Sequence, residues 1–172
     1  MRLQGMKIAT LVADGVEDLE YYVPAMRLQE EGALVLTAAM ELKPLHGKNG
    51  LTIKPDTEIK ALKANDLNGL VLPGGWAPDK LRRYSVVKDL VGEMDKQGKV
   101  IGIICHGGSI AISAGIVRGK ATGSIGIRDD IINAGGTWAD EPAFRDGNLV
   151  WGRVVADIPD FCRELVAALA KE

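Results

Sequence analysis

Short apolar runs alternate along the chain with longer amphipathic stretches. Residues 7–12, 33–38, 69–72 and 100–104 are apolar runs of strand length, too continuous for a sheet with one face in water. Between them lie helical patterns: 17–32, halted at Gly32; 79–98, with a break at Ser85, which can cap a second segment; and 107–115, halted at Gly115. Asp14 followed by Glu17 has capping-box spacing and predicts the start of the first helix, while Pro24 predicts a bend or an end to its first segment. The less regular stretch 43–59 carries Asn49-Gly50, the mark of a small hairpin. A short strand at 121–123, a helix at 128–134, a hairpin about 146–148 and a final helix at 157–170 follow. Strands alternating with helices imply an α/β fold with a mostly parallel sheet covered on both faces. No repeat, low-complexity tract or linker interrupts it, so 1–172 is expected to form a single domain.

Composition narrows the function classes. A chain of 172 residues can bury roughly 70% of the surface it exposes unfolded, and needs no staple to fold. It is 47% hydrophobic and 26% charged, with a formal net charge of -2 and both signs interspersed. Without a basic stripe, neither nucleic acid nor an anionic membrane is an expected partner. The apolar run at 8–13 is too short for a signal-peptide core, and none approaches the roughly 18 residues that span a bilayer, so a cytoplasmic location is expected. Cys105 and Cys162 lie far apart, and the CxxC and HxxxH spacings are missing, so neither a disulfide nor a structural zinc site is expected. The loop after the first strand has one glycine, which excludes a GxGxxG fingerprint, and no GxxxxGK[ST] loop occurs. No cofactor is expected.

Candidate chemistry gathers at one edge. In a parallel sheet ligands sit beyond the C-terminal ends of the strands, where ADGVEDLE (13–20), PGGWAPD (73–79) and CHGG (105–108) converge. Cys105 stands at a tight strand-to-helix corner, the position of the serine in a nucleophile elbow, with Gly107 and Gly108 allowing the turn. A helix N-terminus there favours a thiolate, expected to be largely ionised at neutral pH. The His106 N–H, with one from Gly74 or Gly75, can form an oxyanion hole, and the His106 ring can move protons. Glu20, kept protonated, can donate to the sulfur. Glu17 reads as a solvated surface acid, His46 as a solvated loop histidine and Cys162 as a packing residue. No histidine follows residue 106, which argues against a glutaminase triad.

The stretches VEDLEYYVPAMRLQEEG, VLPGGWAPDKLR, ICHGGSIAISAGIVRGK and GIRDDIINAGGTWADE, in that order, resemble the ThiJ/PfpI superfamily and its PfpI-type intracellular protease branch, over nearly the whole chain. The resemblance implies a flavodoxin-like three-layer α/β sandwich with a nucleophile elbow. It assigns the nucleophile to Cys105, the neighbouring histidine to His106, and the acid against the cysteine to Glu20. It also implies a homo-oligomer, a dimer or hexamer, in which Asp79 of a neighbouring copy completes a Cys-His-acid triad. The chain departs from that pattern at Asp79, where a glutamate is usual, at Ser124, where a tyrosine is usual, and at Gly108, a frequent proline. The implied activity is a cysteine hydrolase, peptidase or glyoxalase and deglycase, acting on a peptide or a small-molecule carbonyl. The alternative is a redox-sensing stress protein with holdase activity. Because amide hydrolysis leans hardest on the departed positions, small aldehydes and labile adducts are expected to be turned over better than unactivated peptides.

Overall fold

The computed structural model describes residues 1–171. In chain order, β1 (Lys7–Leu11), α1 (Asp18–Glu30) and β2 (Leu34–Ala39) are followed by the short strands β3 (Leu45–His46), β4 (Thr52–Ile53) and β5 (Thr57–Glu58). Then come β6 (Gly69–Leu72), α2 (Ala77–Leu81), α3 (Ser85–Lys96), β7 (Val100–Ile104) and α4 (Gly108–Ser113). The chain closes with β8 (Lys120–Ala121), α5 (Arg128–Asn133), β9 (Thr137–Trp138), β10 (Ala143–Asp146), β11 (Leu149–Gly152) and α6 (Ile158–Ala170). The central sheet runs β10-β11-β7-β6-β1-β2-β5, parallel throughout except for β10 against β11.

Both faces of this sheet are dry, which is why its strands read as unbroken apolar runs. Ile101 and Ile103 of β7 point into one core with Leu81, Val87, Val91 and Ile110 of α2, α3 and α4. Ile104 joins the other core, where Leu28 of α1 meets Phe161, Leu165 and Leu169 of α6. Three layers result. Glycines on β6, β7 and β11, stepped by two residues from strand to strand, let α6 lie close across them: a Cβ at Gly69 would stand 2.8 Å from Leu169, and one at Gly102 or Gly152 would stand 3.0 Å from Phe161. Burying a side chain such as Phe161 contributes about 1.5–3 kcal/mol.

Several local expectations change. The Asp14 and Glu17 capping box does not form: Asp14 Oδ1 accepts the His46 N–H at 2.9 Å, and α1 begins at Asp18 with no side-chain cap. The competing acceptor demand comes from the hairpin, which sequence spacing along one helix cannot register. Pro24 neither ends nor splits α1, which runs on to Glu30. Ser85 is the first residue of α3 rather than its cap; Tyr84 holds that place without a side-chain bond. The hairpin at 43–59 is present as β3 paired antiparallel with β4. Among the described residues no helix is long and apolar enough to cross a membrane.

Candidate active site

The loops leaving β1, β6 and β7 meet at the sheet's C-terminal edge and are tied backbone to backbone. Glu17 N–H donates to the Gly74 carbonyl at 3.1 Å and Trp76 N–H to the Gly15 carbonyl at 2.8 Å. This closeness demands glycine at Gly75, whose φ is +76° and where a Cβ would lie 2.4 Å from the backbone of both Gly15 and Glu17. Cys105 follows directly on β7 with φ +57°, a left-handed conformation that costs a side-chain-bearing residue of order 1 kcal/mol or more. The turn survives because Gly107 tucks under it: a Cβ there would stand 2.1 Å from the Leu72 carbonyl oxygen.

Glu20 is fully buried beneath the cysteine. Its Oε2 accepts the Gly74 N–H at 2.7 Å, while Oε1 is buried with no hydrogen-bond partner among the described residues, and the carboxyl as a whole lies beside the Cys105 thiol. Gly74 is therefore engaged by Glu20 and is not available as an oxyanion donor, contrary to one of the two glycine options read from the sequence. The N–H groups of Gly75 and His106 are the two that reach the Cys105 sulfur. His106 Nδ1 lies 3.4 Å from that sulfur. Its Nε2 and the Ser124 hydroxyl flank a small open space over Gly126, at 3.6 and 3.8 Å from where a Cβ would be.

Burial dominates the electrostatics. It pushes the Glu20 carboxyl up to about 7, against the opposing pull of the Gly74 N–H and the thiol. Burial and then the charge of an ionised Glu20 push the Cys105 thiol up to about 12, outweighing the two N–H groups. The backbone turns helical at Cys105 itself, in a single turn that runs directly into the six-residue α4, so the helix end favours a thiolate while burial beside Glu20 opposes it. A proton on Glu20 removes the repelling charge and offers an O–H to sulfur, so thiol and carboxyl titrate as one pair. Burial, then the charge of Lys48, hold His106 below the ordinary histidine value, which keeps the ring neutral at pH 7.

A cleft of about 790 Å³ opens over these groups, lined among others by Trp76, Asp79, Ser124 and Val154. Asp79 is on its rim, but its carboxylate is 70% exposed and pairs with Arg83 one helical turn on, not with His106. Trp76 and Tyr84 are both exposed. His46 is an exposed hairpin residue and Cys162 is buried on the core face of α6, as their sequence contexts suggest.

Sequence reasoning missed two features. Glu17 is not a solvated acid: it is 7% exposed, lines the cleft, and accepts from the Asn49 side chain at 3.2 Å. Lys48 also reaches the cleft, because buried Asp18 accepts the N–H groups of Asn49 and Leu51 at 2.7 and 2.9 Å and clamps the hairpin loop there. The available signal was the pair of glycines, Gly47 and Gly50, bracketing a lysine and an asparagine. Among the described residues no cluster of three or more potential metal ligands occurs.

Comparison with known proteins agrees with this architecture. The model of the DJ-1/PfpI family matches residues 6–168. The deglycase PfpI of Pyrococcus furiosus is 41% identical over 165 residues, covering 95% of this chain and 99% of that protein. YraA of Bacillus subtilis, provisionally named a cysteine protease, is 36% identical over 160 residues, covering 92% of this chain and 95% of its own. A solved two-domain protein of Anabaena variabilis, with DJ-1/ThiJ/PfpI-like and ferritin-like domains, superposes with a TM-score of 0.92 at 33% identity. That match covers 95% of this chain and 48% of the other, so this chain spans about half of the two-domain protein. With nearly its whole length matched by the family model and by relatives at this level of identity, the chain belongs to the DJ-1/PfpI family.

Proposed function

We propose that this protein is a cysteine-dependent enzyme of the deglycase and glyoxalase kind, in which Cys105 attacks the aldehyde carbon of small 2-oxoaldehydes and their labile adducts. The name of the Pyrococcus relative and the family membership support the class of activity. One observation carries the choice of substrate. Cys105 sits between a proton-holding Glu20 and two backbone N–H groups, while the acid that would steer His106 is paired elsewhere. Attack on an aldehyde expels no leaving group, so that arrangement is sufficient for the first step. Amide hydrolysis needs a well-oriented acid to protonate the leaving nitrogen, and Asp79, paired with Arg83 and one methylene shorter than the glutamate usual in the family, steers His106 less well for that task even when it comes from another copy.

In this reading the one proton that Cys105 and Glu20 share rests on Glu20 while the sulfur–carbon bond forms. The carbonyl pair moves onto oxygen beside the N–H groups of Gly75 and His106, and Glu20 returns its proton to give a hemithioacetal. The carbon-bound hydrogen of the hemithioacetal then moves as a proton to the neighbouring carbonyl carbon, through an enediol and with the His106 ring as carrier, leaving an alcohol there and an acyl thioester on Cys105. Water hydrolyses the thioester to the carboxylate and frees the thiol, so one carbon is oxidised as the other is reduced with no external redox partner. Parallel assays of methylglyoxal, a glycated thiol and a peptide amide test it. Wild type should turn over the first two, and Cys105→Ala neither. Brisk peptide cleavage with methylglyoxal ignored would overturn it. A wild type inert on all three, holding unfolded clients in reducing buffer with or without Cys105, would favour the holdase alternative.

We further infer a homo-oligomer in which exposed Trp76 and Tyr84 form a contact that brings Asp79 toward the elbow of another copy. A monomer in sedimentation at micromolar concentration would end that idea. Two free cysteines suit a reducing compartment such as the cytoplasm.

A further inference from the structure

We propose that Lys48 is the anion-recognising residue of the cleft, holding the carboxylate of 2-oxo acids and of the 2-hydroxy acid product while the neighbouring carbon is at Cys105. The inference deepens the carbonyl chemistry proposed above and rests on it. Three cations line the cleft: Lys48, Lys80 and Arg83. Arg83 is paired with Asp79, and Lys80 donates to the Asp14 carbonyl at 3.0 Å. Lys48 differs. Its nearest carboxylate oxygen, Glu17 Oε2, is 3.8 Å away, beyond hydrogen-bond reach, and its side chain is 41% exposed. An ammonium has three N–H donors, and among the described residues none of those on Lys48 finds a protein acceptor at bonding distance.

The loop that carries Lys48 is built rather than loose. Lys48 N–H donates to the Val16 carbonyl and Gly15 N–H to the His46 carbonyl, each at 2.8 Å. Gly47 packs so tightly on Asp18 that a Cβ there would stand 2.2 Å from its Oδ1. The Trp76 ring centre is 5.9 Å from the ammonium, so the lysine has an aromatic face and a buried carboxylate as its neighbours. Glu17 does not cancel it for a ligand: that carboxylate is buried and already accepts from Asn49, whereas the ammonium is the exposed member of the pair. A small aldehyde acid such as glyoxylate therefore has an electrophilic carbon for the sulfur and a carboxylate for Lys48. Its adduct forms by one sulfur–carbon bond, with the carbonyl pair and the thiol's proton ending on the new hydroxyl.

Alkylation of Cys105 reads this without turnover. Iodoacetate and iodoacetamide react by the same displacement of iodide, but only the first carries a carboxylate. Their rates at the Cys105 peptide would be compared in wild type, Lys48→Met and Lys48→Arg. The iodoacetate-to-iodoacetamide ratio should fall about five- to tenfold in Lys48→Met, as expected for one charge at close range across a wet cleft, and should be retained in Lys48→Arg. Raising the salt from about 0.02 M to about 0.5 M should shrink the wild-type ratio toward that of Lys48→Met. Glyoxylate should also protect wild-type Cys105 from iodoacetamide better than it protects Lys48→Met. An unchanged ratio in Lys48→Met, or equal protection, would overturn the assignment. Failure of methylglyoxal turnover would sink the reading under Proposed function while leaving this ratio intact, so the two are separable.

Discussion

Replacing Glu20 with glutamine should stabilise the protein at alkaline pH while disabling it. The structure supplies the magnitude. Glu20 is fully buried, and its carboxyl is pushed from the ordinary 4.5 up to about 7, chiefly by burial. The folded protein thus binds this proton more tightly than the unfolded chain does. Its contribution to folding is fully present below about pH 4.5 and is lost as the pH rises through about 7. At about 1.4 kcal/mol per pH unit, the ionised side chain costs about 3 kcal/mol above that range. Glutamine keeps the shape and the acceptor for the Gly74 N–H, but turns an amide donor toward sulfur, which gives back about 1 kcal/mol. Glu20→Gln should therefore gain about 2 kcal/mol near pH 8, a rise in Tm of about 4–8 °C for a chain of this size, and lose about 1 kcal/mol near pH 4, where Glu20 is already protonated. Thermal melts at both pH values measure the difference. Cys105 alkylation should lose its inflection near pH 7, since Glu20 no longer holds the shared proton. Turnover should fall about 100- to 10,000-fold. A Tm difference that does not change with pH, or a variant less stable than wild type at pH 8, would show that burial of this carboxyl is not the controlling cost.

Other perturbations follow the same logic. Gly107→Ala should cost at least about 1–3 kcal/mol in urea unfolding, because its methyl meets the Leu72 carbonyl on a central strand. Gly92→Ala, in α3 with nothing within 4 Å of the new Cβ, should instead gain about 0.5–1 kcal/mol. Iodoacetamide followed by peptide mapping should label Cys105, which is partly exposed and lines the cleft, well before Cys162, which is buried on the core face of α6; equal rates would contradict the site. Asp79→Glu together with Ser124→Tyr should raise the ratio of peptide-amide to methylglyoxal turnover, and an unchanged ratio would remove the leaving-group argument.

What could be read from the chain differs from what could not by how locally each feature is determined. β6 and β7 have the bounds their apolar runs suggest, and Cys105 is recognisable because an elbow needs only a strand, a nucleophile and glycines in succession. Glu20 was legible as a candidate because the topology returns α1 to the edge where β7 ends. Lys48 was not, since its place depends on Asp18 accepting two hairpin N–H groups some 30 positions away. Glu17 was misread for a related reason. Its spacing from Asp14 fits a cap, but Asp14 is recruited by His46 and Glu17 by Asn49. The state of Cys105 depends on burial beside Glu20, which no linear motif reports, as well as on the helix end that the motif does report. Nor does the CHGG motif reveal that Glu20 takes the Gly74 N–H and leaves Gly75 and His106 to face the reaction.

The claim that Cys105 carries out carbonyl chemistry on 2-oxoaldehydes is tested most directly with methylglyoxal isotopically labelled at its aldehyde carbon, followed by carbon NMR. Wild-type protein should move the label into the carboxylate of lactate without added cofactor, and Cys105→Ala should leave it in the hydrated aldehyde. Label reaching carboxylate at the same rate in Cys105→Ala, or never reaching it in wild type, would contradict the account.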